Sequence, residues 1–189
     1  MLIAKYLKPN IDVENEILNF EMKHAIELSS QYRAFLKKYN GGETPKTKIK
    51  VNRFTWDVAG FYGVGDVKFK LDKIWELEEW IEKGWLPIAY SCLGDYFAIG
   101  LKGSDEGKIY FLDYGKGYRK KCLADNLKQF LECCKSEELN PKVYWSVEER
   151  EADLIARGKG ANITEQLKKA WQEEIDRFKD MVREEVIID

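Results

Sequence analysis

Two periods of apolar spacing alternate along this chain, and each predicts its own kind of element. Tyr32, Phe35, Leu36 and Tyr39 fall at i, i+3, i+4 and i+7, the apolar stripe of a helix that Ser29 or Ser30 can cap. Asn40-Gly41-Gly42 follows, residues that tolerate the positive φ at which helices commonly stop. Upstream, Asp12 to Glu21 reads as a short helix entered through Asp12, with Val13, Ile17, Leu18 and Phe20 apolar. Beyond a Lys-rich polar stretch, Phe54, Trp56 and Val58 alternate with Thr55 and Asp57, which predicts a half-buried strand. Gly60, Gly63 and Gly65 break it into a turn. Leu71 to Lys83 predicts a helix with Leu71, Ile74, Trp75, Leu77 and Ile81 apolar, Glu76, Glu78, Glu79 and Glu82 wet, and Gly84 as its stop.

The strongest alternation comes next. Trp85 to Cys92 predicts a strand, Leu93-Gly94-Asp95 a tight connection, and Tyr96 to Lys102 the returning strand, with Phe97, Ile99 and Leu101 on one face. Gly103 to Gly107 loops into a strand over Lys108 to Tyr114, so the block is an antiparallel meander with loops of hairpin length. Tyr118 to Cys122 adds a further strand, and Asp125 caps a helix through Cys134 with Leu127, Phe130 and Leu131 inward. Past Pro141, Ser146 and Glu149 stand in capping-box spacing and predict a helix over Val147 to Ala156, ended by Gly158 and Gly160. Asn162 with Glu165 opens a last helix, in which Ile163, Leu167, Ala170, Trp171, Ile175, Phe178 and Met181 keep a helical period. A stripe holding Trp171 and Phe178 calls for burial on the domain or on a partner. The expected fold class is α+β, a central antiparallel sheet of about 4–6 strands flanked by helices. Residues 1–139 would form the domain and residues 140–189 a C-terminal helical extension.

These elements, in this order, resemble the SUKH superfamily of Smi/Knr-type immunity and regulator proteins. Leu28 to Gly42, a helix running into Asn-Gly-Gly, looks like the family's first motif, and Phe61-Tyr62-Gly63 is similar to its next. Leu86-Pro87-Ile88-Ala89, Gly94-Asp95-Tyr96 and Gly107-Lys108-Ile109-Tyr110-Phe111 look like its strand signature, and Leu127 to Leu131 fits its closing helix. A proline is usual after the Leu28 equivalent. Ser29 stands there instead, and serine caps helices well. The resemblance runs from about Asp12 to Cys134 and leaves the tail from Asn140 outside. It implies binding and not catalysis: bacterial members are commonly immunity proteins that neutralise a cognate toxin, and fungal relatives regulate cell-wall synthesis through partners.

Composition narrows the field further. Apolar residues make up 44% of 189 residues, with 6 Trp, 10 Tyr and 9 Phe, too many for a disordered chain. No apolar run approaches the roughly 20 residues that span a bilayer, and Met1 to Asn10 has no export-signal core, so a cytoplasmic location without membrane contact is expected. From Glu137 onward there are 14 acidic and 9 basic residues, against 19 and 22 before it. Neither balance suits a nucleic-acid binder, and the acidic end reads as a solvated helix face. Cys92, Cys122, Cys133 and Cys134 form no CxxC pair, and a single histidine, His24, accompanies them. They read as reduced cysteines in or near the core, with neither a metal nor a cofactor site expected.

Catalytic signals are sparse. His24 has no Ser or Cys motif pointing to it. Asp57 with Asp66, or Asp95 with Asp113, can in principle flank a glycosidic bond, but aspartate beside glycine is normal turn chemistry. A small carboxylate hydrolase is the distant alternative. Gly63-Val64-Gly65 lacks the third glycine and the context of a dinucleotide site. A protein-binding surface asks for less, namely aromatics within a polar rim. Trp56, Tyr62, Tyr96, Tyr114 and Tyr118 fall at strand ends or in loops, with Asp57, Asp66, Asp95 and Asp113 beside them in sequence. The candidate contact set is Trp56, Asp57, Tyr62, Asp66, Asp95, Tyr96, Asp113 and Tyr114, an acidic-aromatic patch suited to a basic toxin domain. The alternative for each is a core tyrosine or a turn aspartate. A regulator or scaffold acting through the acidic helix after Asn162 is the second functional reading, and the striped terminal helix allows a monomer or a homodimer.

Overall fold

The computed structural model describes residues 1–8, 10–137, 141–178 and 183–188. Local chemistry sets its first helices. Asp12 accepts the Asn15 amide to start α1 (Val13–His24), which carries Glu14 and Glu16 in its first turn and Lys23 and His24 in its last, as the helix dipole favours. Ser29 accepts the Tyr32 amide to start α2 (Ser30–Tyr39), and Asn40 ends it at φ 50°. The strands are β1 (Leu2–Lys5), β2 (Gly42–Val51), β3 (Phe54–Phe61), β4 (Trp85–Tyr90), β5 (Tyr96–Gly100), β6 (Ile109–Asp113), β7 (Arg119–Ala124), β8 (Cys134–Ser136) and β9 (Glu184–Glu185). Among the described residues they form a nine-stranded sheet in the order β7-β6-β5-β4-β3-β2-β1-β9, with β8 also pairing with β2. The fold is α+β, with more strands than the sequence pattern predicts.

The added strands have physical reasons. In β2, Thr47 and Ile49 are buried while Lys46, Lys48 and Lys50 face solvent, so the stretch that reads as polar is one wet face of a strand. Pro45 interrupts the pattern, yet it lies where the β2–β3 register shifts between Glu43 and Thr47, a position at which a missing N–H costs little. β1, β8 and β9 are too short to show a period. The predicted helix over Leu71 to Lys83 is split: Leu71–Lys73 is a single 3-10 turn, and α3 spans Leu77–Glu82. Glu76 takes φ 55° at the break, which turns Trp75 outward (72% exposed) and brings Trp80 into the core (6%). The helix α4 (Leu127–Cys133) is capped by Asn126, not Asp125, through the Gln129 amide at 2.9 Å.

Both faces of the sheet are covered. On one face Phe61 meets Phe35 of α2 at 4.9 Å, and Phe97 meets Phe130 of α4 at 5.5 Å. On the other, Trp80 of α3 stands edge-on to Tyr96 and Tyr118. The sheet curls strongly, since Trp56 of β3 reaches Phe111 of β6 at 4.9 Å although β4 and β5 lie between those strands. Asn40 and the Phe61-Tyr62-Gly63 segment lock together. The buried Asn40 side chain accepts the Val64 amide at 2.9 Å and donates to the Val64 carbonyl at 3.0 Å. A Cβ at Gly63 would sit 2.2 Å from the Asn40 carbonyl oxygen, and one at Gly41 2.7 Å from that of Phe61.

The chain divides into two compact units, residues 1–137 with 183–189, and residues 138–182. Within the first, β9 pairs with β1, and the Tyr39 hydroxyl accepts the Ile187 amide at 2.8 Å. The second holds α5 (Val147–Ala156), opened by the Ser146/Glu149 capping box, and α6 (Glu165–Phe178). Thr164, not Asn162, caps α6 through the Leu167 amide. Arg150 of α5 pairs with Glu174 of α6 at 2.6 Å. Leu167, Trp171 and Ile175 are half-buried, and Met181, the last position of their stripe, lies outside the described residues.

Candidate functional site

Three of the four predicted aspartates, Asp57, Asp95 and Asp113, come together with tyrosines at the end of the sheet that carries the β4–β5 and β6–β7 turns. Asp95 is only 9% exposed. Its carboxylate accepts the Ser91 hydroxyl and the Tyr114 amide, each at 2.9 Å, and so ties one turn to the other. Ser91 in turn accepts the amides of Leu93 and Asp95. Asp57, reaching from β3, accepts the Cys92 amide at 2.7 Å. It also accepts the Cys92 thiol, which with partial burial pushes that thiol above its ordinary range. Asp113 pairs with Lys116 at 2.8 Å, and its carbonyl accepts the Tyr118 amide. Around these clips Tyr96 stacks on Tyr118 with planes 7° apart, and Tyr114 (62% exposed) stands against Tyr118 at 5.6 Å. Tyr62, half-buried, lies 5.1 Å from Tyr90, and burial and the neighbouring Tyr96, Tyr90 and Tyr118 raise its hydroxyl.

Two members of the set lie elsewhere. Asp66 is exposed in the loop after β3 and pairs with Lys70 at 2.8 Å, whose hydrogen bond and charge hold its carboxyl below the usual range. Trp56 points to the sheet face opposite Asp57 and packs on Phe54 and Phe111. All four aspartates thus take a hydrogen bond or ion pair from the protein itself. The chemistry available at this end is recognition by tyrosine hydroxyls and rings.

Sequence reasoning missed a second cluster, on the face of Trp56. The Lys121 ammonium lies 3.4 Å from the Phe54 ring centre and 4.8 Å from that of Trp56, and Arg53 covers Phe54 at 5.2 Å. The run Arg119-Lys120-Lys121 was the available signal. His24 is also pinned: one ring nitrogen faces Glu78 at 2.7 Å and the other Asp72 at 2.9 Å. Of the cysteines Cys134 is buried and Cys133 half-buried, while Cys92 and Cys122 are exposed, against the expectation of core positions. A cleft of about 460 Å³ between the α1–α2 connection and the β5–β6 loop, lined by Glu27, Ser29, Tyr32, Gly100 and Glu106, holds none of the candidate residues. Among the described residues no group of three or more His, Cys, Asp or Glu could hold a metal ion, and no helix is long and apolar enough to cross a membrane.

No curated protein matches the chain. The model of the SMI1 / KNR4 family (SUKH-1) matches residues 13–133, a span that holds α1, α2, the Asn40–Gly63 lock and the whole β3-to-β7 meander. With well over half its length in that match, the chain belongs to the SMI1 / KNR4 family (SUKH-1).

Proposed function

We propose that this protein is a cytoplasmic, non-catalytic binding module that neutralises a cognate toxin domain by stoichiometric binding. Family membership over residues 13–133 carries the reading. The use of the acidic groups supports it. Asp57, Asp95 and Asp113 hold turns together and Asp66 pairs with Lys70, so these carboxylates act as structural ties rather than as free acid and base. The contact set is Trp56, Asp57, Tyr62, Asp66, Asp95, Tyr96, Asp113 and Tyr114, with Tyr114 the most open ring among them. The test is a pull-down of the tagged protein mixed with lysate of its host and of neighbouring strains, washed at low and high salt. A single stoichiometric partner carrying a toxin-like domain supports the reading. An endogenous enzyme or cell-wall factor in its place supports the regulator.

The regulator reading has one observation of its own. Residues 138–182 form a compact unit beyond the family match, and α6 within it carries the half-buried Leu167, Trp171 and Ile175. Because β9 follows that unit and pairs with β1, the discriminating variant replaces residues 138–182 by a flexible linker and keeps the last strand. The toxin reading expects the complex to survive the replacement, and the scaffold reading expects its loss.

A further inference from the structure

The sheet ends at β7 on an open edge. Among the described residues no strand pairs with Arg119–Ala124 on the side away from β6, and the one backbone group of that strand bonded outside the β6 ladder is the Ala124 carbonyl, which accepts the Cys122 thiol at 3.8 Å. An edge of this kind presents donors and acceptors at the spacing of an extended peptide.

The same edge is basic. Arg119, Lys120 and Lys121 follow one another, and the β2–β3 hairpin brings Arg53 to the same place, because Phe54 at its tip packs under the Lys121 ammonium and Arg53 covers the same ring. Lys120 pairs with Asp105 at 3.1 Å. Among the described residues no carboxylate makes an ion pair with Arg53, Arg119 or Lys121, Asp113 across the ladder from Arg119 pairing instead with Lys116. Phe54 is 44% exposed in the middle of these cations.

We propose that β7 accepts an extended, acidic segment of a partner protein as an added strand, with Arg53 and Arg119 meeting its carboxylates and Phe54 its apolar side chains. This rests on the reading of the chain as a binding module. Lysines on an edge also serve to keep strands apart. That role accounts for the charges but not for Phe54, which stays 44% exposed among them although it stacks on Trp56. A second copy fits poorly, since edge-to-edge pairing would set Arg119 to Lys121 near their own kind, and like charges across a ladder repel. Nucleic acid would use the charges and rings, but not the open peptide ladder.

The test uses the full chain and a fluorescein-labelled peptide of alternating glutamate and valine, followed by anisotropy. Three further arms are the same peptide with alternate amides N-methylated, an oligouridine competitor, and the doubly substituted variant Arg53→Glu with Arg119→Glu. The expected result is binding of the parent peptide, its loss on N-methylation, and about tenfold weaker binding by the variant. Near-ultraviolet circular dichroism checks the variant's fold, and the N-methyl comparison needs no variant at all. Absence of binding, equal binding of the methylated peptide, or displacement by oligouridine at lower concentration overturns the proposal. The pull-down of a native partner is scored separately, so either result can fail with the other intact.

Discussion

Trp56 and Asp57 are neighbours in β3 that point to opposite faces, and each belongs to a region that handles charge differently. On the Asp57 side, the acidic groups are tied up inside the protein: Asp57 on Cys92, Asp95 between two turns, Asp113 on Lys116. On the Trp56 side, Lys121 and Arg53 lie over aromatic rings and make no ion pair with a carboxylate among the described residues. An acidic residue beside an aromatic in sequence therefore also builds the turn it stands in. Charge that builds turns meets a partner while already engaged within the protein, whereas charge resting on a ring meets one without a carboxylate of its own.

The largest effect that can break this comparison is at Asp95. Substituting Asp95→Ala leaves the Ser91 hydroxyl and the Tyr114 amide without their acceptor, and stability should fall by about 3 kcal/mol in urea unfolding. Asp113→Ala, whose Lys116 partner is largely exposed, should cost no more than about 0.5 kcal/mol. Equal and small losses at the two sites would mean that the acidic end is not built by its aspartates.

A smaller effect extends the structural use of acids to the seam between α1 and the segment at Asp72. Burial raises the Asp72 carboxyl, but hydrogen bonds from Lys23 and His24 outweigh it and hold the carboxyl below its ordinary range. A lowered folded value adds stability that is fully present above the unfolded value of about 3.9, and is lost as pH falls through the lowered one. Asp72→Asn should flatten that acid limb and cost about 1 kcal/mol at neutral pH. An unchanged acid limb would show that these contacts contribute nothing to folding.

At the basic region, Lys121→Met keeps the aliphatic stem but removes the ammonium from two rings, and should cost about 1 kcal/mol. Lys50→Gln, on the opposite face of β2 with no ring beneath it, should stay within about 0.5 kcal/mol. If both are neutral, the cations there are no more fixed than any surface lysine.

Much of the fold was legible in the residues, because helices α1, α2 and α5 announce themselves by caps and period, and the meander by alternation. The family motifs prove to be chiefly fixtures of the fold: Asn40 binds Val64, and Gly41 and Gly63 give room for the same close approach. What stayed hidden depended on distance in sequence. Pro45 masked β2, Glu76 in a left-handed conformation exchanged Trp75 for Trp80, and β9 needs β1 from the far end of the chain to exist at all. The basic cluster was hidden for the same reason, since Lys121 meets Phe54 only once the sheet curls.

The finest test leaves stability alone and reads the acidic end through a sulfur. Cys92 is exposed, yet its thiol donates to Asp57, which holds it above its ordinary range, and reactivity follows the thiolate. Cys134 is buried, and desolvation pushes its thiol up to about 12. Alkylation with iodoacetamide, mapped by mass spectrometry, should therefore modify the exposed Cys122 first, Cys92 more slowly, and Cys134 only on unfolding. Asp57→Asn replaces a charged acceptor by a neutral amide. Cys92 alone should then react severalfold faster, with Cys122 and Cys134 unchanged as internal references. A general rise at all three would report loosening of the fold, whereas no rise at Cys92 would mean that Asp57 is not engaged by the thiol and is open to a partner after all.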